Sequence, residues 1–177
     1  TVQGDTLIDC TKNAVALNSL LTDTSRYQLI WTKPDQTQIK DSVKIKSNLS
    51  GKYTLTVIDK KNYCQDTREW NVTVDSLFPQ IDLGTELVID CKNNGVNIIP
   101  TETSQTGMFG YYWNMPTGNL GKETKLLDKI STQSGQVILK VINEQNGCAS
   151  SDTLLIKDVR QLPIIDAGVN DLLTCKI

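Results

Sequence analysis

The chain contains the stretch Gly51-Lys52-Tyr53-Thr54-Leu55-Thr56-Val57, which returns 84 residues later as Gly135-Gln136-Val137-Ile138-Leu139-Lys140-Val141. In both copies the third, fifth and seventh residues are apolar, and this period of two is typical of a β-strand with one buried face. Each copy is followed by a turn and then by a cysteine, Cys64 or Cys148. The stretch therefore predicts two copies of one β-structured unit.

Other markers share this period. They are the cysteines Cys10, Cys91 and Cys175, which are 81 and 84 residues apart, the tryptophans Trp31 and Trp113, and the segment 78–84, which returns at 162–168. Because each copy of that segment holds a proline, Pro79 or Pro163, which cannot continue a sheet ladder, we place the boundaries there. We predict repeat one at 1–79, repeat two at 80–163, and a fragment at 164–177 that restates only the opening of the unit.

Further alternating segments give each unit about seven short strands. Apolar alternation marks 15–17, 27–31, 53–57 and 70–74 in repeat one, and 96–98, 109–113, 137–141 and 154–156 in repeat two, while 42–46 and 124–130 suggest a middle strand less clearly. No window shows a capped helical face. Short strands at this density, with a tryptophan on the third, predict an all-β fold of tandem immunoglobulin-like β-sandwich domains.

Composition excludes several function classes. The net charge is -2 and no basic patch suggests a nucleic-acid partner. No apolar stretch is long enough to span a membrane in this segment. Histidine is absent, which removes the commonest general base and zinc ligand. Since paired carboxylates, phosphate-binding glycine loops and serine nucleophile motifs are missing too, we predict no enzyme, no catalytic residues and no cofactor.

Several short motifs together resemble a known group of repeats. They are Asp-x-Gly at 82–84, Leu-x-x-Cys at 7–10, aromatic-x-Trp at 111–113, Gly-x-Tyr-Thr-Leu-Thr-Val at 51–57, and Asn-x-Cys followed by Asp-Thr at 146–153. The chain resembles the Ig-like and PKD-like repeats of large Bacteroidetes cell-surface and secreted proteins over its whole length. This resemblance implies export to the cell surface or medium, and a place in adhesins, surface filaments or stalks beneath other modules.

The five cysteines predict disulfides in an oxidising compartment. We favour the pairs Cys10–Cys64 and Cys91–Cys148, since both cysteines accompany every complete repeat, and Cys175 would then pair outside this sequence. In an ordinary immunoglobulin sandwich, however, the end of the first strand and the start of the last lie at opposite ends. The alternative is therefore Cys10–Cys148, which would join neighbouring repeats.

Metal sites are weakly indicated. No closely spaced cysteine pair suggests zinc, and a catalytic thiol would lack a histidine partner. Asp75, Asp82, Asp158 and Asp166 flank the repeat boundaries and could bind calcium, but two carboxylates at each boundary are fewer ligands than a calcium site needs. We interpret them as solvated linker acids and predict no metal.

Glycosylation is a further possibility. Four Asp-Ser/Thr-apolar sequences resemble the O-glycan attachment sites of exported Bacteroidetes proteins, with Thr6, Ser42, Ser76 and Thr153 as acceptors. The alternative is that Asp-Thr begins strands for structural reasons. Asn48-Leu49-Ser50 and Asn71-Val72-Thr73 match the N-glycosylation pattern, which we interpret as accidental.

Exposed aromatic residues could form a sugar-binding platform. Tyr111 and Trp113 share one face of their strand and Tyr112 lies on the other, so we expect Trp113, like Trp31, to pack in a core. Trp70 has Leu154 at the matching position. We interpret it as a local variation of the core rather than as an exposed contact.

Three functions fit these features. The first is a semi-rigid spacer of a surface adhesin or filament, whose partners are neighbouring repeats. The second is a self-assembling filament subunit joined by disulfides or by donation of the strand at 164–177. The third is a carbohydrate-binding accessory module for host or surface glycans. The sequence is expected to be a segment of a longer protein.

Overall fold

The computed structural model describes residues 2–4, 6–21, 23–103, 107–166 and 168, and its strands form two β-sandwiches in series. The first sandwich contains β1 (Val2–Gly4), β2 (Leu7–Asp9), β3 (Val15–Ser19), β4 (Tyr27–Thr32), β5 (Gln38–Lys40), β6 (Lys44–Ser47), β7 (Gly51–Asp59) and β8 (Gln65–Asp75). The second contains β9 (Ile81–Asp82), β10 (Glu86–Ile89), β11 (Val96–Ile98), β12 (Thr101–Glu102), β13 (Phe109–Met115), β14 (Gly118–Asn119), β15 (Lys129–Ser131), β16 (Gly135–Asn143) and β17 (Ala149–Asp158). Within these described residues there is no helix that could cross a membrane.

The first sandwich packs a three-stranded sheet, in the order β1-β3-β6, against a five-stranded sheet, in the order β2-β8-β7-β4-β5. The opening strand of the unit is divided between the sheets, because β1 pairs antiparallel with β3 whereas β2 pairs parallel with β8. In the parallel pair Asp9 lies opposite Asp75. The residue after β2, Cys10, is therefore close to the end of β8 and far from its beginning.

The second sandwich repeats this plan. Its five-stranded sheet has the order β10-β17-β16-β13-β14, and shorter ladders join β11 to β15 and β12 to β9. Again the opening strand β10 runs parallel to the last strand β17, with Ile89 opposite Asp158. The predicted all-β architecture of tandem immunoglobulin-like sandwiches is confirmed.

Each sandwich has its own hydrophobic core around one tryptophan. The first core gathers Ile8, Val15, Leu17, Leu29, Trp31, Ile45, Tyr53, Leu55 and Val72. The second gathers Leu83, Ile89, Val96, Ile98, Tyr111, Trp113, Met115, Val137, Leu139, Val141, Leu154 and Ile156. The alternating stretches quoted from the sequence thus supply inward side chains in both units. The repeat bounds 1–79 and 80–163 stay a prediction.

The middle strand of the second unit differs from the expectation. Of residues 124–130 only the last two join a strand, and Ile130 is 76% exposed. The reason lies in the register, because Ile130 pairs with Asn97 on the outward face of β11 while Val96 and Ile98 face the core. In this two-stranded ladder the pairing with β11 therefore decides which residues of β15 face outward.

Candidate functional site at the junction between repeats

A disulfide joins Cys10 of the first unit to Cys148 of the second, with their Cα atoms 5.0 Å apart and a sequence separation of 138. Cys64 and Cys91 are free and exposed. The favoured pairs Cys10–Cys64 and Cys91–Cys148 are therefore wrong, and the inter-repeat alternative is correct. Cys175 lies outside the described residues.

The parallel pairing of β2 with β8 explains why the bond crosses the junction. Cys64 precedes β8 and Cys10 lies beside its other end, so the two are separated by the length of an 11-residue strand. At about 3.3 Å per residue that length is roughly 33 Å. A disulfide needs Cα atoms within about 7 Å, so no bond within one repeat is possible.

Cys10 is carried on a tight turn held by Asp9. The Asp9 carboxylate accepts hydrogen bonds from the Thr11 hydroxyl at 2.6 Å and from the Thr11 and Lys12 amides at 2.8 Å each. The Thr11 hydroxyl above all, with the two amides, lowers the pKa of Asp9 below its ordinary value. The turn therefore holds the cysteine in one orientation while Asp9 is ionised.

Cys148 is carried on the hairpin between β16 and β17. The hairpin closes through the Asn143 amide, which donates to the Cys148 carbonyl at 2.8 Å, and the Gly147 amide, which donates to the Asn143 carbonyl at 2.7 Å. Gly147 has a φ of 71°, in the left-handed region that favours glycine. The turn expected before Cys148 is thus present, and it closes a hairpin.

Asn146 is the polar centre of the junction and is completely buried. Its Nδ2 donates to Asp75 Oδ1 at 2.8 Å and to the Leu77 carbonyl at 3.1 Å. Its Oδ1 accepts from the Cys148 amide at 2.9 Å, and its own carbonyl accepts from the Cys10 amide at 3.1 Å. One side chain of the second unit therefore binds both the last strand and the linker of the first, which satisfies a buried amide that would otherwise cost about 1–3 kcal/mol.

Close contact at the junction leaves no room for a side chain at position 147. A Cβ built on Gly147 would lie 2.1 Å from Thr11 Cγ2. Thr11 belongs to the turn that carries Cys10, so glycine here serves two purposes, the positive φ and the approach of the two units. Sequence reasoning did not single out Asn146 or Gly147 as junction residues, although the Asn-x-Cys motif at 62–64 and 146–148 was a signal for them.

Each of the four acidic residues at the repeat boundaries has a hydrogen-bond or ion-pair partner within the protein. Asp75 accepts from Asn146, Asp82 and Asp166 each accept from the amide of a following glycine, and Asp158 pairs with Arg160. The pairing with Arg160 lowers the pKa of Asp158 to about 2. No group of three or more His, Cys, Asp or Glu side chains in the described ranges is placed to hold a metal ion.

The four candidate glycosylation acceptors differ in accessibility. Thr6, Ser76 and Thr153 are exposed, whereas Ser42 is half-buried and its hydroxyl donates to the Lys44 carbonyl at 2.6 Å. Asp152, before Thr153, accepts a hydrogen bond from the Leu83 amide at 2.7 Å and so has a structural role. Glycosylation at these positions stays a prediction.

The aromatic residues of β13 do not form an exposed platform. Tyr111 and Trp113 are buried, and Tyr112 alone faces the other side, half-buried. Trp70 lies against the first core with its ring centroid 6.2 Å from that of Trp31. Its interpretation as a local variation of the core agrees with this contact.

Comparisons with known proteins give structural similarities of low sequence identity. No protein-family model matches the chain, and no curated protein matches it in sequence. The three N-terminal domains of the outer capsid protein Hoc of bacteriophage RB49 are 15% identical, with a TM-score of 0.45 over 89% of this chain and 58% of that one. The fibronectin(III)-like modules of Clostridium thermocellum CbhA are 13% identical, with a TM-score of 0.40 over 90% of this chain and 95% of that one.

The N-terminal four Ig domains of Dscam1 isoform 6.9 are 15% identical, with a TM-score of 0.34 over 82% of this chain and 41% of that one. This chain thus spans less than two thirds of the Hoc and Dscam1 chains. Nothing among these matches supports the Bacteroidetes or PKD-like resemblance. These similar chains are Ig or fibronectin-like β-sandwich domains, the fold class that the strands themselves establish.

Proposed function

We propose that the chain is a semi-rigid spacer of an extracellular surface adhesin or filament, built to resist tension. The observation that carries the proposal is the disulfide between Cys10 and Cys148, which fastens two consecutive sandwiches to each other. Asn146 adds buried hydrogen bonds at the same place. A covalent bond and a buried amide beside a short linker oppose independent movement of the two units.

The position of the bond suits a chain that is pulled at its ends. Force applied at the two ends passes from residue 10 to residue 148 through the sulfur atoms. Residues 11–147, which hold nearly all of both cores, then lie outside the path of the force. Even if a core unfolds, these residues cannot extend while the bond is intact.

The same bond supports an extracellular location. Disulfides persist in oxidising environments and are rare in reducing ones. Surface and secreted proteins meet that condition, and a spacer would hold a binding domain away from the cell there.

Single-molecule pulling between the two ends tests this function. We expect the oxidised chain to release only residues outside 10–148, and the chain in reductant to release in addition residues 11–147, up to roughly 3.3–3.6 Å of contour for each residue. Cys64→Ser, which removes a free thiol, is the matched control and should behave as the unchanged protein. Equal extension with and without reductant would overturn the proposal.

The other two functions have less support. Strand donation needs an open position in the receiving sandwich, and in the first unit β1 and β2 already fill the places beside β3 and β8. Most of the proposed donor, 164–177, lies outside the described residues. Carbohydrate binding has no observation in its favour, because β13 presents no aromatic platform.

A further inference from the structure

We infer that Cys91 and its turn, Asp90–Asn93, form a docking and disulfide site for the hairpin of a further repeat of this kind. This deepens the proposed function and rests on it, since the partner is another unit of the same spacer. Cys91 occupies in the second sandwich the place that Cys10 occupies in the first, just after the strand that runs parallel to the last one. In this structure the Cys10 position is covalently bonded to a hairpin, which identifies what the Cys91 position takes.

The turn at Cys91 is already in the conformation that receives a hairpin in the first sandwich. The Asp90 carboxylate accepts from the Lys92 amide at 2.8 Å and the Asn93 amide at 2.6 Å, as Asp9 does with Thr11 and Lys12. The Asp90 amide donates to the Asn93 carbonyl at 3.2 Å, matching the bond from Asp9 to Lys12 at 3.0 Å.

The surroundings of Cys91 match in one backbone acceptor. At the internal junction the carbonyl of Leu77 accepts from the incoming Asn146 amide group. Gln161 follows Cys148 by as many residues as Leu77 follows Cys64, so the two are counterparts in the sequence. The carbonyl oxygen of Gln161 is 4.0 Å from Cys91 Sγ. One of the two acceptors that an incoming asparagine would use is thus next to the free thiol, whereas the position of the other, Asp75, is occupied by Val159.

Apolar residues beside this site are uncovered where their counterparts are covered. Pro79 is buried at the internal junction and Ile81 packs partly against the second core, whereas Pro163 is exposed and Ile165 is 84% exposed. Burial of Ile165 by a third sandwich would match the packing of its counterpart Ile81 against the second core.

The opposite end of the molecule presents the complementary half. The hairpin at Asn62–Cys64 is closed by the same bonds as the hairpin at Asn146–Cys148, with the Asn62 carboxamide oxygen accepting from the Cys64 amide at 3.0 Å. In the occupied hairpin Asn146 and Cys148 are completely buried, whereas Asn62 and Cys64 are exposed. We therefore expect the free thiol of Cys64 to pair with a cysteine on a turn like that of Cys91.

One difference between the hairpins is compatible with this pairing. Tyr63 holds the position that Gly147 holds in the other hairpin, where the absence of a side chain leaves room for Thr11. The Cβ of Tyr63 would therefore clash with a β-branched residue placed, like Thr11, directly after the cysteine of the docking turn. In the turn at Cys91 that residue is Lys92, which has a single γ atom that can rotate away. The Cβ of Tyr63 is thus compatible with a turn of the Cys91 type.

The covalent step is a two-electron oxidation that requires a disulfide oxidant, such as oxidised glutathione. One thiolate attacks the oxidant, forming a mixed disulfide and releasing one reduced thiol. The hairpin thiolate then attacks the protein sulfur of that mixed disulfide and releases the second reduced thiol. The two protein thiols lose two protons and two electrons in all, and the oxidant takes them up.

A lengthened chain tests the site when the hairpin belongs to the same polypeptide. In it a second copy of residues 80–163 replaces 164–177, and the protein is refolded with oxidised and reduced glutathione. We expect peptide mapping to find Cys91 joined to the copied Cys148, and both to be protected from alkylation. Cys91→Ser in the same chain is the control and should leave the copied Cys148 open to alkylation.

The existing chain tests the site when the hairpin comes from a second copy. Cys175→Ser is introduced throughout, and Cys64→Ser protein is mixed with Cys91→Ser protein at high concentration with oxidised glutathione. We expect reducible dimers in the mixture, joined through Cys91 and Cys64, and at least tenfold fewer in either protein alone. Equal dimer formation by each protein alone would show indiscriminate thiol oxidation and would overturn the docking of a hairpin from a second copy.

The two arms also separate this inference from the spacer function. A bond in the lengthened chain alone assigns the hairpin to the same polypeptide, and a bond in the mixture assigns it to a second copy. Absence of the Cys91 bond from both, with Cys10–Cys148 intact, overturns the inference and leaves the spacer proposal standing. Loss of Cys10–Cys148 itself would remove the basis of the spacer proposal.

Discussion

The two central tryptophans differ by one hydrogen bond. Trp31 and Trp113 are both buried, and each is the largest side chain of its core. Trp31 Nε1 donates to the Ser42 carbonyl at 2.8 Å, whereas Trp113 Nε1 is buried with no hydrogen-bond partner among the described atoms. Lys129 lies 5.7 Å from the centroid of the Trp113 ring, a cation–π contact that leaves the indole N–H unpaired.

This difference predicts unequal effects of the same substitution. Trp31→Phe and Trp113→Phe remove similar apolar area, but only Trp31→Phe leaves a carbonyl, that of Ser42, without its donor. We expect Trp31→Phe to reduce the free energy of unfolding of its sandwich by about 1 kcal/mol more than Trp113→Phe does. Urea unfolding followed by circular dichroism measures both, and an equal loss would contradict the argument.

The two equivalent hairpins lie in different surroundings. Tyr63 and Gly147 hold equivalent positions with φ of 62° and 71°. Tyr63 is 81% exposed, so its side chain lies largely in solvent and the main cost is that of the left-handed backbone. Gly147 lies against Thr11, so at this position the element also sets how closely the two units approach.

A substitution and its rescue test that approach. We expect Gly147→Ala to lower stability by at least about 1 kcal/mol, because alanine is strained at a positive φ and its Cβ meets Thr11 Cγ2. Thr11→Ser removes that methyl group and keeps the hydroxyl that bonds Asp9. Adding Thr11→Ser to Gly147→Ala should therefore recover part of the loss in thermal unfolding, and no recovery would mean that the backbone strain alone is responsible.

The long strands and the tryptophan cores could be predicted from the sequence because their period depends on one buried face. Several of the short strands could not. β5 and β14 have three and two residues, too few to show a period, and the register of β15 depends on β11. The pairing of the cysteines could not be decided from the sequence for another reason. Sequence spacing assigns a cysteine to its repeat, but the parallel pairing of β2 with β8 decides at which end of the sandwich that cysteine lies.

For the molecule as a whole, the disulfide joins units that otherwise have separate cores. The bond closes a loop over a sequence separation of 138 residues, which contains almost all residues of both cores. A disulfide that closes a longer loop removes more conformational entropy from the unfolded chain. Its stabilising effect is therefore largest when both sandwiches are unfolded, and it belongs to the pair rather than to either unit.

Replacing single cysteines measures this effect and tests the pairing. Cys10→Ser opens the loop, and the chain-entropy account predicts a loss of up to about 5 kcal/mol for the fully unfolded state. Cys64→Ser removes an exposed free thiol and should change nothing, so it is the matched control. Guanidinium unfolding under oxidising conditions compares the two, and reductant should bring the unchanged protein to the level of Cys10→Ser. If Cys64→Ser were as destabilising as Cys10→Ser, the bond would lie within one repeat, and the covalent connection between the sandwiches would be lost.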